Sequence, residues 1–267
     1  MHNIVPLLLP LEGDTSWPPS AASFNSRPLF PGLGIDWVNN HMMQAVIGAL
    51  LVIAIWLIFS HRQTVVPGKR QFLGEMAYNL VRNSIGKEIL GSEFRPFMPY
   101  LVAIISFILV NNLFGELFLF MFPTFSKIGY AYGLALMSWL LYNAVGIKKY
   151  GFGHYMKKMT LPDGVPVGLW ILIIPLEFIS NFVTRPITLA LRLFANLFAG
   201  HLVIMVFVIG GTMLIESGTL FYAAAGGVSI LFSFAIFALE LLVGCLQAYI
   251  FTVLTAQYVS SAIAEEH

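Results

Sequence analysis

The sequence predicts an all-α membrane protein, with about five membrane crossings, an interfacial amphipathic helix and two long tilted antiparallel helices at its C-terminal end. Three observations lead there. Hydrophobic residues make up 58% of the 267 residues and charged ones only 10%, a balance few soluble surfaces could carry. Apolar runs of spanning length recur along the chain. Lys and Arg gather in two loops, each after an odd-numbered run, as the positive-inside rule requires of cytoplasmic or matrix loops.

Composition also narrows the function. A net charge of +1 argues against a nucleic-acid partner. The single cysteine, Cys245, rules out an intramolecular disulfide and a cysteine metal cluster, and in its apolar setting it reads as a packing residue. No G-x-x-x-x-G-K-[ST] phosphate loop occurs, so nucleotide chemistry is not expected on this chain, nor is a cofactor or a metal. Pro6 and Pro10 interrupt the first leucine run, which argues against a cleaved signal peptide.

Residues 1–40 hold six of the fourteen prolines and show no period, so they form an irregular arm outside the 41–267 transmembrane domain. The first span is about 41–60, with Trp37 and Trp56 near its ends. The first basic loop follows, with Arg62, Lys69, Arg70, Arg82, Lys87 and Arg95. Within it, Phe72, Leu73, Met76, Ala77, Leu80 and Val81 fall on one helical arc, which predicts an interfacial helix over about 71–90. Spans over about 96–122 and 129–147 come next, and then the second basic loop with Lys148, Lys149, Lys157 and Lys158. The apolar stretch 166–208 would be about 65 Å long if helical, twice the hydrocarbon thickness. It is therefore either two elements or one strongly tilted helix, with Pro175 and Pro186 as sites of bending. Gly210-Gly211 should close it, and 220–264 returns across the membrane. The N-terminus is then outside and the C-terminus inside.

The run Arg185-Pro-Ile-Thr188-Leu-Ala-Leu-Arg192-Leu-Phe-Ala-Asn196-Leu-Phe-Ala-Gly200-His201 lies in the most apolar half of the chain yet carries two arginines, an asparagine and a histidine. An arginine at the bilayer centre costs roughly 2.5–3.5 kcal/mol on insertion scales, so such residues mark function. Arg192, Ala195, Asn196 and Ala199 share one helical face, with Thr188 and Arg185 extending it backwards. Small residues there let another helix approach closely. His201 points roughly the opposite way, about 13 Å further along the axis. On the returning helix, Glu240 and Gln247 are seven residues apart and share a face. If the two long helices run antiparallel, His201 registers with Glu240 and the Arg192/Asn196 level with Gln247. A His–Glu pair in a wetted pocket exchanges protons near neutral pH.

The run from Arg185 to His201 resembles the signature of subunit a of rotary F-type ATP synthases. The C-terminal run from Leu246-Gln-Ala-Tyr-Ile-Phe-Thr to His267 is similar to that family's C-terminus, and Asn112-Leu-Phe-Gly115 to a weaker element. The resemblance implies a stator proton-channel subunit, not by itself an enzyme. Its partners would be a ring of c subunits, the peripheral-stalk b subunits and the lipid bilayer. It implies that Arg192 faces the rotor carboxylates and separates two offset half-channels. His201 and Glu240 would line the outer half-channel, with Asn196 and Gln247 near Arg192 on the inner one. Glu116, which follows Asn-Leu-Phe-Gly, is a candidate addition, as are Glu177, Arg185 and Thr188. A bacterial plasma membrane is favoured over a mitochondrial inner membrane.

Blander readings stand beside these. Arg192 could pair structurally with Glu177 or Glu240, His201 could be a packing histidine, and Asn196 and Gln247 could serve only as helix-to-helix hydrogen-bonding residues. Two rival functions are a secondary transporter with an Arg–His–Glu proton relay, whose usual internal repeat the sequence lacks, and a purely structural anchor, which would not need a buried Arg192 or Glu240.

Overall fold

The computed structural model describes residues 17–20, 38–61, 63–116, 123–161 and 166–264. Most of the N-terminal arm, Trp37, Arg62 and the end of the 96–122 span lie outside the described residues. Every regular element among the described residues is a helix. In chain order these are α1 (Asn40–Ser60), α2 (Lys69–Val81), α3 (Glu88–Leu90), α4 (Met98–Glu116), α5 (Ile128–Tyr150), α6 (Phe152–Thr160), α7 (Trp170–Phe178), α8 (Arg185–Glu216) and α9 (Leu220–Ile263). Wide π turns over Arg82–Lys87 and Ile179–Thr184 join α2 to α3 and α7 to α8, and a 3-10 segment, Gly91–Phe97, leads into α4. The helix expected over 71–90 begins at Lys69 and stops at Gly91, whose φ of 59° is one that glycine adopts without strain.

Four described helical runs are long and apolar enough to cross a membrane: Asn40–Ser60, Lys69–Glu116, Trp170–Glu216 and Leu220–Ile263. This is an all-α, multi-pass membrane protein. The stretch expected over 166–208 is a single helical run from Trp170 to Glu216. Pro186 has no N–H to offer the Phe182 carbonyl, and the wide turn over Ile179–Thr184 lies where that bond is missing.

One expectation is corrected. Gly210-Gly211 does not close this helix, which continues to Glu216 and ends before Gly218 at φ 77°. Both glycines sit inside α8, and Gly211 packs against α9. A Cβ on Gly211 would lie 3.0 Å from the Gly226 carbonyl oxygen, and one on Gly226 would lie 2.5 Å from the Gly211 oxygen. Here glycine brings two backbones together rather than breaking a helix.

The chain divides into two compact units. The first comprises residues 1–54, 106–127 and 194–248. In it α1 meets α4 where Gly48 lies against the Asn111 amide; a Cβ there would be 2.6 Å from Nδ2. Asn112 Nδ2 donates to the Gly244 carbonyl of α9 at 2.8 Å, and Ser229 Oγ donates to the Phe207 carbonyl of α8 at 2.8 Å. Thr124 Oγ1, on the short turn before α5, donates to Asn111 Oδ1 at 2.9 Å. These bonds matter because a buried polar group left unpaired in an apolar interior is costly.

The second unit comprises residues 55–105, 128–193 and 249–267. Its core joins Ile85, Met98 and Leu101 to Tyr142 and Tyr155 and to Ala256, Val259 and Ala262. Gly146 leaves room for the Tyr155 ring, whose hydroxyl donates to Asn143 Oδ1 at 3.0 Å. The last carbonyls of α9 have no partners within their own helix, so the basic loop supplies them. Lys149 Nζ and Tyr150 Oη donate to the Ile263 carbonyl at 2.9 and 3.0 Å, and Lys158 Nζ reaches the Ala264 carbonyl.

Candidate functional site

The first unit gathers three ionisable side chains from three helices. Glu116 is the last residue of α4, His201 lies in the middle of α8 and Glu240 near the middle of α9. They are only 8%, 8% and 7% exposed. His201 Nδ1 lies 3.2 Å from Glu240 Oε2, across the helix pair whose register the sequence matched. His201 Nε2 lies 3.6 Å from Glu116 Oε1. The imidazole therefore stands between two carboxyl groups.

Gly200 makes this possible. A Cβ at that position would fall on the Glu240 carboxylate. The residue before the histidine must be side-chain-free for α9 to bring its acid against α8. That requirement was not legible in the sequence, because it depends on which helix lies opposite.

Both ring nitrogens also face backbone oxygens: Nδ1 is 3.1 Å from the Leu197 carbonyl and Nε2 is 3.1 Å from the Gly115 carbonyl. A neutral imidazole has one N–H and one lone pair. With oxygens at both ends, the lone pair of a neutral ring would point at other lone pairs. The surroundings thus favour a second proton, or another cation, at this spot. Glu116 Oε1 and Glu240 Oε2 are buried with no hydrogen-bond partner among the described residues. The cluster is built to hold and hand on positive charge.

Arg192 lies in the second unit and is its opposite in character. It is exposed on α8, and among the described residues it makes no ion pair or hydrogen bond. Neither Glu177 nor Glu240 pairs with it: Glu177 Oε2 accepts from Asn181 Nδ2 at 3.1 Å, and Glu240 belongs to the cluster around His201. Thr188, Ala195 and Ala199, on the face inferred for Arg192, are exposed as well. Asn196 is half-buried one turn on, and Gln247 is buried in the first unit.

The remaining candidates are structural in their contacts. The Arg185 guanidinium stacks on the Tyr258 ring, 5.0 Å from its centroid. Thr188 Oγ1 donates to the Thr184 carbonyl of its own helix at 2.9 Å. A further set of buried polar residues went unremarked in the sequence: His41 and Gln44 on α1, with Asn111, Thr124 and Ser126. Its one sequence signal was the Asn111-Asn112 pair inside an apolar span.

The family model of the ATP synthase A chain matches residues 41–260, the whole helical part from α1 to near the end of α9. The chain belongs to the ATP synthase A chain family. A protein of a Nocardioides species named ATP synthase subunit a is 42% identical over 265 residues, covering 96% of each chain. Proteins of the same name from Pseudarthrobacter chlorophenolicus and an Arthrobacter species are 37% and 38% identical over 267 residues, covering 99% of this chain and 100% of theirs. As an ATP synthase A chain, the molecule holds one finished cluster, around His201, and one arginine that its own described residues leave unpaired.

Proposed function

We infer that the chain is the stator proton-channel subunit a of an F-type ATP synthase, coupling proton movement to rotation of a c-subunit ring and so to ATP synthesis. The observation that carries this reading is Arg192. It is exposed on a membrane-spanning helix with no partner in its own chain, in a protein whose relatives are named ATP synthase subunit a. A guanidinium in that setting is expensive unless another subunit completes it, and a ring of carboxylates passing along the face of Arg192, Ala195 and Ala199 would do so.

The proton path has two offset halves. The outer half runs through Glu116, His201 and Glu240, where a proton arriving from outside is held and passed to a rotor carboxyl. The neutral carboxyl then turns into lipid. The inner half is assigned to Asn196 and Gln247, whose amides offer hydrogen bonds without trapping a proton. Arg192 separates the halves: its positive charge favours the ionised form of each passing carboxyl and repels a proton that would leak straight through. Each elementary charge that crosses supplies about 2.3 kcal/mol per 100 mV of membrane potential, so several must cross for each ATP.

The reading places the chain in a bacterial plasma membrane with about five crossings, α5 being the additional one, its N-terminus outside and its C-terminus inside. The c ring and the peripheral-stalk b subunits are its partners. The test is ATP-driven acidification of inverted vesicles together with copurification. The intact complex should isolate with a small c-type subunit, and Arg192→Ala should abolish acidification while the complex still assembles. Isolation of the chain alone with full proton transport would favour the secondary transporter instead.

A further inference from the structure

The geometry points to Glu116, His201 and Glu240 as a zinc site, at which a divalent zinc ion bound from the outer side blocks the proton path. The blocking half of this inference rests on the proton-path reading above; the binding half stands on the geometry alone. Each of the three side chains offers one donor atom, and these atoms lie within 4.8 Å of one another. Tetrahedral zinc with bonds of about 2.0–2.1 Å places its ligand atoms about 3.3 Å apart. The His201–Glu240 and His201–Glu116 separations, 3.2 and 3.6 Å, bracket that value, so small side-chain rotations would close the shell.

Three further features favour a cation here. Both Glu116 Oε1 and Glu240 Oε2 are buried without a hydrogen-bond partner among the described residues. The Gly115 carbonyl oxygen stands 3.1 Å from His201 Nε2, within reach as a fourth donor or as the anchor of a bound water. Charge also balances: two carboxylates and a neutral imidazole around a doubly positive ion make a neutral unit, the form an apolar interior tolerates. Binding therefore expels the protons the cluster would otherwise carry. One imidazole and two carboxylates suit zinc, whereas calcium requires six to eight oxygens and magnesium gives up its water reluctantly. A proton relay and a zinc site ask for the same thing, lone pairs converging in a dry pocket, and zinc holds them for longer.

The experiment uses the intact, chelator-stripped complex in excess magnesium, with radioactive zinc measured by equilibrium dialysis. Wild type is expected to bind one more zinc ion than either Glu116→Gln or Glu240→Gln, while Glu75→Gln, on the exposed face of α2, matches wild type. X-ray absorption at the zinc edge of the wild-type complex is expected to show one imidazole and oxygen ligands at about 2.0–2.1 Å; a sulfur-ligated or multi-imidazole shell overturns the site even if the variants misassemble. Zinc on the outer face is expected to slow proton transport at least tenfold in wild type. Equal zinc stoichiometry in wild type and both glutamine variants overturns the site and leaves the proton path standing. Stoichiometric binding with undiminished transport overturns the block, and with it the placement of the cluster on the path.

Discussion

The cluster around His201 and the face carrying Arg192 lie on one helix yet obey opposite rules. At His201 every neighbour is supplied from within the chain: an acid from α4, an acid from α9, and a glycine that clears the space between α8 and α9. At Arg192 nothing is supplied among the described residues, and the surrounding face is small and exposed. A group that must hold a proton while the protein stands still is best packed by the protein itself. A group that must meet a moving partner has to be left open, and its cost in apolar surroundings falls on the assembly.

The strongest way to break this contrast is to compare coupled and passive proton movement. Arg192→Ala and Glu240→Gln should each abolish ATP-driven acidification. In vesicles stripped of the ATP-hydrolysing portion, Glu240→Gln should lower passive proton conductance by about 10²-fold, the usual contribution of a positioned proton-transfer group. Arg192→Ala should leave that conductance undiminished. The reverse pattern would mean that the arginine, not the cluster, carries the proton.

A smaller effect sharpens the packing side. Gly200→Val would place methyl groups on the Glu240 carboxylate. Acidification should fall about tenfold as the acid is pushed from His201, in line with an overpacking strain of roughly 1–3 kcal/mol. Unchanged acidification would show that the close approach of α8 and α9 is not required for transfer. Gly211→Val tests the same helix pair away from the cluster, where it meets the Gly226 backbone. It should destabilise the purified complex by about 1–3 kcal/mol, read as a lowered Tm, while retaining most of the transport. The least change is expected of Asn112→Ala, which loses its bond to the Gly244 carbonyl. Helix-to-helix hydrogen bonds in membranes average about 0.6 kcal/mol, so its Tm should shift by less than that of Gly211→Val.

How much of this was legible beforehand follows from the range of each signal. The apolar runs and their helical character are local, and α9 lies where the sequence predicts it, Leu220–Ile263 against 220–264. The meeting of His201 with Glu240 needed only helical spacing and the assumption of antiparallel neighbours. Glu116 joined them through the placement of α4, which no spacing within α8 or α9 encodes. Gly210-Gly211 misled for a related reason. Glycine weakens an isolated helix in water, but between membrane helices its missing side chain permits contact, and only the identity of the neighbour distinguishes the two uses. Arg192 was legible as unusual from composition alone. Its lack of a partner is a tertiary fact.

The wide turn over Ile179–Thr184 carries a consequence for the whole of the following helix. A π turn holds one residue more than the α turn it replaces, so it sets the angular phase of all that comes after it. Deleting a single residue there would tighten the coil and swing Arg185–Glu216 by about 100°, with an axial step of about 1.5 Å. Arg192 and His201 would keep their bearings to each other and lose them to everything else. The turn works as the index mark on a shaft.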